Sequence, residues 1–427
     1  MLERGLAGLL VVAFLLLSMV ARSRRPGLPV WSLMAFASFL TILLGLVSVD
    51  ELPSIIDVDV ILFLVGMFSI VGLAESSGLL NLMAAWFMSR FKTRYSLLVA
   101  SSLLFGLLAA VSMNDTVAFM GPPLALVIAR AAGVDPKALF LLLAFSLTVG
   151  SAMTPVGNPQ NILVVEGSCM TAPFVKFAYM LAVPTLANLL VTPLLIVRVF
   201  KVENGKCEVL LIPSEAIKNR RDALLGAIGL AAAISALVVN DLLQLAGLPH
   251  VSRRGIVPFL IAAGLYMFSS NPRRLLGNVD WGTIVFFISM FVTMEGVWRS
   301  GVFNPLLSAL LPSRLEGAAG VLAITAASLL MSQVISNVPF ARFFVLYMKS
   351  LGYTSGDDLY WVTLAASSTI AGNLTPLGAA SNIIVMEYLE SRMNTTILLK
   401  DFVKVGFLVT AVNTSIYLLW LLLLSAA

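Results

Sequence analysis

Long apolar runs, separated by short polar or basic segments, occupy most of the chain. The runs fall at residues 6–21, 28–49, 58–76, 95–131, 137–166, 171–198, 222–240, 254–270, 281–297, 317–351, 358–390 and 401–425. Several reach the roughly 20 apolar residues that a helix needs to cross a bilayer. They are continuous, whereas the strands of a membrane barrel alternate apolar and polar positions. The pattern predicts an all-α integral membrane protein embedded in a lipid bilayer.

The polar interruptions of these runs occur twice, in the same order. The paired blocks are TPVGNPQN (154–161) with TPLGAASN (375–382), Met113-Asn114-Asp115 with Ser336-Asn337-Val338, and Asp57 with Asp280. The blocks are offset by 221 or 223 residues. A solenoid has a far shorter period. Paired breaks in two halves are typical of a duplicated half-transporter whose binding site lies at the breaks.

The longest run of each half is interrupted near its middle. The run 95–131 has basic residues beyond both of its ends, and both ends therefore favour the cytoplasm. This pattern predicts a re-entrant hairpin over 95–131, and 317–351 is the matching hairpin of the second half. The proline-containing blocks predict one broken helix at 137–166 and another at 358–390.

These elements divide the chain into a first repeat (1–198), a cytoplasmic linker (199–221) and a second repeat (222–427). We expect about five transmembrane helices in each repeat, in addition to the hairpin and the broken helix. An odd number of spans inverts the second repeat relative to the first. With both termini outside, most of the 27 Lys and Arg residues lie on the cytoplasmic side, in agreement with the positive-inside rule. The predicted location is the plasma membrane, with multiple passes.

Composition narrows the class of protein. Apolar residues make up 59% of the chain and charged residues 11%, compared with roughly 25% charged residues in soluble domains. The linker is the only sizeable hydrophilic segment, so a soluble catalytic domain is not expected and the chain is not predicted to be an enzyme. The net charge of +5 is distributed as topology signals and does not indicate a nucleic-acid partner. Neither Cys169 and Cys207 nor the lone His250 has a metal-binding spacing.

The breaks carry the candidate chemistry. A helix that ends inside the membrane leaves backbone groups unpaired; its C-terminal carbonyls attract a cation, and its N-terminal N–H groups attract an anion. Thr and Asn side chains add neutral oxygens that suit a hard cation such as sodium. The predicted cation-binding residues are Asn114, Asp115, Thr154, Gly157, Asn161, Asn337, Thr375, Gly378 and Asn382. The predicted substrate-binding residues are Asn114, Asn158, Ser336, Asn337 and Arg342.

Two charged residues leave alternatives open. Asp115 binds a cation or a proton, or it only caps a helix; ionisable residues at membrane depth are functional candidates. Arg342 faces an anion, pairs with Asp115, or reaches the membrane interface. Because Asn158-Pro159-Gln160 becomes Ala379-Ala380-Ser381, we expect a weaker or altered cation site in the second half. Glu166 and Glu387, near the ends of the broken helices, are interpreted as interfacial.

The blocks resemble those of the ion transporter superfamily, which includes citrate transporters, divalent-anion/sodium symporters, arsenite permeases and related sodium/proton antiporters. The resemblance covers nearly the whole chain and rests on Asn114, Asn337 and the two TPxGxxxN blocks. It implies that these residues bind coupling cations, that the tips face substrate, and that the protein forms a homodimer. Met113, Asp115 and Val338 depart from the Ser-Asn-Thr tips of the symporters, and Asn114-Asp115 is closer to arsenite permeases.

The predicted function is secondary active transport of a small anion, either a carboxylate or an inorganic oxyanion, coupled to sodium or protons by alternating access. Arsenite efflux and sodium/proton antiport are the alternatives. No cofactor or metal is expected other than transported or coupling sodium. An intramembrane protease would need paired catalytic groups that the sequence does not place convincingly, and a channel has no need of two pseudo-symmetric hairpins.

Overall fold

A computed structural model describes residues 2–24, 29–207, 217–393 and 396–426. In these residues the secondary-structure elements longer than an isolated bridge are all helices. The helices of the first half are α1 (Leu2–Arg24), α2 (Val30–Leu43), α3 (Leu52–Ile55), α4 (Val58–Ser76), α5 (Leu79–Met88), α6 (Arg94–Ser112), α7 (Asn114–Ala132), α8 (Pro136–Ser151), α9 (Pro159–Ser168) and α10 (Pro173–Val199). Those of the second half are α11 (Arg220–Leu245), α12 (Ile256–Phe268), α13 (Pro272–Gly277), α14 (Trp281–Ser300), α15 (Asn304–Leu310), α16 (Gly317–Ile335), α17 (Asn337–Ser350), α18 (Asp358–Ala371), α19 (Ala380–Met393) and α20 (Leu399–Ala426).

Within the described residues, 8 helices are long and apolar enough to cross a membrane: α4, α6, α7, α10, α11, α14, α16 and α20. Shorter apolar helices, including α2, α8 and α12, accompany them. Length and composition thus make the chain an all-helical, multi-pass membrane protein. Within the apolar run 28–49, α2 ends at Leu43, and a separate 3-10 turn occupies Val49–Glu51.

One residue separates the two helices at each predicted hairpin tip. Met113 lies between α6 and α7 with φ 69° and ψ 142°, and Ser336 lies between α16 and α17 with φ 67° and ψ 158°. Such positive φ values are strained for residues other than glycine. Finding the same strained conformation at both tips shows that the two copies share backbone geometry as well as sequence, and such strain concentrates at functional sites.

The proline-containing blocks also share one backbone conformation. A 3-10 turn, Pro155–Gly157, separates α8 from α9, and Pro376–Gly378 separates α18 from α19. Extended residues flank each turn. A Cβ atom at Gly157 would lie 2.3 Å from the Ser151 carbonyl oxygen, so only glycine permits the chain to fold back this closely.

Close backbone contact joins the first hairpin to the broken helix behind it. A Cβ atom at Gly150 of α8 would lie 2.1 Å from the carbonyl oxygen of Gly106 on α6. Ser146 of α8 donates a 2.8 Å hydrogen bond to Ser102 of α6. Small residues and interhelical hydrogen bonds hold membrane helices together, because lipid is as apolar as the side chains it contacts. This contact fixes the first tip against the first break.

Candidate functional site

A cavity of about 320 Å³ lies where the two hairpin tips meet the two proline-containing breaks. We call it the tip cavity. Its lining includes Asn114, Asn158, Ser336 and Asn337 among the predicted substrate-binding residues, and Asp115 among the predicted cation-binding ones. The structure therefore brings together side chains from both halves of the chain that are 178 to 223 residues apart in sequence.

Four of the helices that begin at this cavity follow the hairpin tips and the breaks. Asn114, Pro159, Asn337 and Ala380 are the first residues of α7, α9, α17 and α19, and all four line it. The first N–H groups of a helix have no partner within the helix, and the helix dipole places about half a positive charge there. The convergence of four such ends creates a positive backbone field suited to an anion.

Two carboxylates face the same space. Asp115 lies in the first turn of α7, and Asp280 precedes α14, where it accepts hydrogen bonds from the backbone N–H and hydroxyl of Thr283 at 3.0 and 2.6 Å. Among the described residues that line the cavity, none is Lys, Arg or His. The two acidic side chains thus oppose the positive field of the helix ends, so the cavity suits an anion accompanied by a cation, or an uncharged acid.

The first break is closed by its own hydrogen bonds. Asn161 Nδ2 donates to the carbonyls of Ser151 and Thr154 at 3.0 and 2.9 Å. The Thr154 hydroxyl donates to the Ala110 carbonyl and accepts from the N–H of Gly157. Asn158 lines the tip cavity. The lining does not include Thr154, Gly157 or Asn161, whose hydrogen bonds stabilise the backbone of the break.

The second break repeats this arrangement with one substitution. Asn382 Nδ2 donates to the carbonyls of Gly372 and Thr375 at 2.8 and 3.4 Å, at the same sequence spacing as in the first half. The Thr375 hydroxyl donates at 2.9 Å to Gln333 Oε1, a side-chain oxygen at the position equivalent to Ala110. The lining of the tip cavity likewise does not include Thr375, Gly378 or Asn382.

Buried oxygens without a hydrogen-bond partner are distributed unevenly. Within the described residues they include Asn114 and Gln160 near the first break, and Ser332, Asn373, Ser381 and Asn382 near the second. Leaving such groups unpaired is costly, and a bound cation would satisfy them. More unpaired oxygens thus lie near the second break, which favours cation binding there. The sequence predicts the weaker cation site at this break, because Ala379 and Ser381 replace Asn158 and Gln160.

Arg342 lies away from the tip cavity. It lines a separate, polar cavity of about 350 Å³, the charged cavity, together with Asp57, Asp59, Glu166 and Arg253. Its guanidinium lies 5.0 Å from the centre of the Phe291 ring, and its Nε atom has no hydrogen-bond partner. Among the ion pairs of the described residues, none joins Arg342 to Asp115. Of the alternatives for Arg342, the structure shows neither the contact with the tips nor the pair with Asp115.

The family of the chain follows from its similarity to known proteins. A family model described as citrate transporter matches residues 7–366. The chain belongs to the citrate transporter family. This family lies within the ion transporter superfamily, so the resemblance carried by the tips and breaks is confirmed. Members are secondary transporters, not enzymes.

Curated relatives of this citrate transporter family member match it at low identity over most of its length. An uncharacterized transporter of Mycobacterium tuberculosis strain H37Rv is 26% identical over 379 residues, covering 86% of each chain. The silicon efflux transporter LSI3 of Oryza sativa subsp. japonica is 24% identical over 405 residues, covering 82% of each chain. The inner membrane protein YbiR of Escherichia coli K12 is 27% identical over 288 residues, covering 67% of this chain and 70% of YbiR.

Two solved structures share the fold of this family member. The YdaH transporter of Alcanivorax borkumensis is 15% identical, with a TM-score of 0.58 over 98% of each chain. MtrF of Neisseria gonorrhoeae, described within a class of antimetabolite efflux pumps, is 13% identical, with a TM-score of 0.56 over 98% of this chain and 94% of MtrF. At these identities the likeness concerns the fold alone.

Several lining residues of the tip cavity were not predicted as site residues. Trp31 lines the cavity beside Asp280, Phe286 and Phe287. Asp280 had a usable signal, because it recurs as Asp57 in the other copy. The aromatic residues had none, since apolar side chains within an apolar run look alike whichever way they point.

Proposed function

We propose that this member of the citrate transporter family moves a small anion, a carboxylate or an inorganic oxyanion, through the tip cavity together with a cation. The observation that carries the proposal is the convergence of four helix N-termini on one cavity that also contains two carboxylates. The helix ends attract the anion. Asp115 and Asp280 attract the cation, which is sodium or a proton.

We further propose that the two copies are inverted repeats, comprising 1–198 and 222–427, that exchange conformations during alternating access. The matched strained tips and matched breaks support this arrangement. In this proposal the hairpins at 95–131 and 317–351 are re-entrant, the linker at 199–221 is cytoplasmic, and both termini lie outside the plasma membrane. A homodimer is proposed from the superfamily resemblance.

A second candidate is efflux of an uncharged, hydroxylated acid of the arsenite class. The specific observation in its favour is that no described lining residue of the tip cavity is basic, although a multiply charged anion would gain from one. The relative described as a silicon efflux transporter is consistent with such a solute. Hydroxyl groups of a neutral acid would donate hydrogen bonds to the carboxylates of Asp115 and Asp280.

A proteoliposome screen tests both candidates. Citrate, dicarboxylates, phosphate, sulfate and arsenite should be offered with sodium and pH gradients set independently. Uptake of an anion that depends on one cation gradient supports the first candidate, and transport of arsenite alone supports the second. Failure of all these solutes to move would contradict both candidates.

The tip asparagines provide a first mutational prediction. Asn114→Ala or Asn337→Ala should reduce cation-dependent uptake at least about fivefold, because a lost hydrogen bond or cation contact costs about 1 kcal/mol or more. The amount of folded protein should be unchanged. Asn81→Ala, an exposed position on α5, is the matched control and should behave as wild type. Unaltered kinetics in both tip variants would remove the asparagines from the proposed site.

The proposed topology predicts which face of the membrane each segment reaches. After replacement of the free thiols Cys169 and Cys207, single cysteines should be introduced at Arg4, Lys218 and Ala426. An impermeant maleimide should label positions 4 and 426 from outside and position 218 only from the cytoplasm. Labelling of the two termini from opposite faces would contradict the odd number of spans per repeat.

A further inference from the structure

The charged cavity and the tip cavity share two helices, α9 and α17. α9 begins at the tip cavity with Pro159, and Glu166 near its end lines the charged cavity. α17 likewise begins with Asn337 at one cavity and carries Arg342 into the other. The two helices contact each other, and Lys349 Nζ donates a 2.9 Å hydrogen bond to the Gly167 carbonyl. Two helices in contact with each other therefore reach both cavities.

Two carboxyl groups meet across the charged cavity. Asp59, in the first turn of α4, is 8% exposed, and both of its oxygens accept from the N–H of Gly255 at 3.1 Å. Glu166 of α9 lies within hydrogen-bonding reach of the Asp59 side chain. An ionised carboxylate only accepts hydrogen bonds, so a bond between two carboxyl groups requires that one of them carries a proton. A proton shared by the pair would link α9 to α4.

No basic side chain among the described residues neutralises the pair through an ion pair. Arg254, the basic group that acts most strongly on Glu166, is already bound to Asp241 at 3.4 Å and to Gln244 at 2.7 Å. Its neighbour Arg253 is exposed at the cavity wall.

The remaining charged groups near the pair, Asp57, Arg342 and Glu295, each contact groups other than Asp59 and Glu166 side-chain oxygens. Asp57 accepts from the backbone N–H groups of Asp59 and Val60, and its negative charge opposes ionisation of the pair. Arg342 lies over an aromatic ring, and the acidic residues that act on it are Glu295 and Asp57. Glu295 itself is bonded to Arg299 at 2.9 Å.

The carboxyl pair exists in only one of the two copies. The repeat relates Glu166 to Glu387, Asp59 to Gly282 and Arg342 to Phe119. Gly282 and Phe119 line the tip cavity, whereas Glu387 is exposed. Residues at equivalent positions of the two copies thus line the charged cavity and part of the tip cavity. Only the first copy has two carboxyl groups that can share a proton.

We propose that Asp59 and Glu166 together bind one exchangeable proton, which holds α9 against α4. Loss of the proton leaves two adjacent carboxylates that repel each other, and α9 then separates from α4. This inference deepens the proposed transport function by naming a proton as coupling ion, and it rests on that function only for its effect on transport.

Infrared difference spectroscopy of the full-length protein in lipid tests the shared proton directly. Spectra recorded across a pH titration should contain a carboxylic-acid C=O band that is lost in Glu166→Gln and is lost or shifted in Asp59→Asn. Glu387→Gln, the equivalent but exposed position, should retain the wild-type band. A band that is unchanged in either Asp59→Asn or Glu166→Gln would overturn the proposal.

A measurement on the wild-type protein covers the case in which a variant does not fold. Dicyclohexylcarbodiimide adds to protonated carboxyl groups in apolar surroundings, without a leaving group, and mass spectrometry locates the adduct. We expect an adduct on Glu166 or Asp59 that declines at alkaline pH, and none on Glu387. Absence of label from both members of the pair at every pH would contradict the inference. Neither measurement requires a transported solute, so a failed uptake screen would leave the proton site intact.

Discussion

Replacing Asp115 with asparagine should reduce coupled uptake about ten- to one-hundredfold and flatten its dependence on the driving cation gradient. The side chain lines the tip cavity, and within the described residues it forms no ion pair that would neutralise it. A contact between a bound cation and a charged group contributes about 1.5–3 kcal/mol, which corresponds to this range of rates. Proteoliposome uptake with imposed sodium or pH gradients measures the change.

Two controls separate a coupling role from a structural one. Asp50→Asn makes the same chemical change at an exposed position outside the cavity and should leave uptake unaltered. Asp115→Glu keeps the charge and should retain part of the cation dependence. If Asp115→Asn transports with wild-type rate and wild-type cation dependence, Asp115 serves only as an acidic residue in the first turn of α7.

Replacing Gly150 with valine should cause the largest loss of stability among single changes at the contact between α6 and α8. Even the first carbon of a side chain there would lie 2.1 Å from the Gly106 carbonyl oxygen, which belongs to the backbone of a packed helix and cannot rotate away. Overpacking of a well-packed interior costs about 1–3 kcal/mol and sometimes more. We expect a cost at or above the upper end, since α6 must move away from α8.

The melting temperature in detergent and the monodisperse fraction on size-exclusion chromatography report this loss. Gly264→Val is the matched control, because Gly264 also lies within a helix and a Cβ atom there would meet no other atom within 4 Å. It carries the same helix-propensity change without the clash. Equal melting temperatures for the two variants would show that the contact between α6 and α8 adjusts freely.

Much of the fold is predictable from hydrophobic pattern alone. The run 58–76 matches α4 (Val58–Ser76), because an acidic N-cap and a glycine bound it on either side. The interruptions at Met113 and Ser336 coincide with the ends of α6 and α16. Short helices such as α5 were not predicted, since an apolar segment of about ten residues is too short to span a membrane and carries no distinctive period.

Several residues that line the tip cavity are predictable from the sequence, but the direction in which each side chain points is not. Arg342 follows Asn337 by five residues, which rotates it about 140° around α17 and points it into the other cavity. Glu166 and Glu387 occupy equivalent sequence positions, yet only Glu166 meets a second carboxyl group, because Asp59 is replaced by Gly282 in the other copy. The partner of each side chain depends on packing between helices that are distant in sequence.

If α9 and α17 form the wall between the two cavities that they both line, this arrangement has an electrical consequence. Glu166 lies seven residues along α9 from Pro159, a rise of about 10 Å. When water fills the cavities on both sides, most of the membrane voltage falls across that short distance rather than across the whole bilayer. A charge that crosses the wall then gains or loses close to the full amount of about 2.3 kcal/mol per 100 mV. Any turnover that carries net charge past these two helices should therefore respond steeply to membrane potential, while an electroneutral exchange should not.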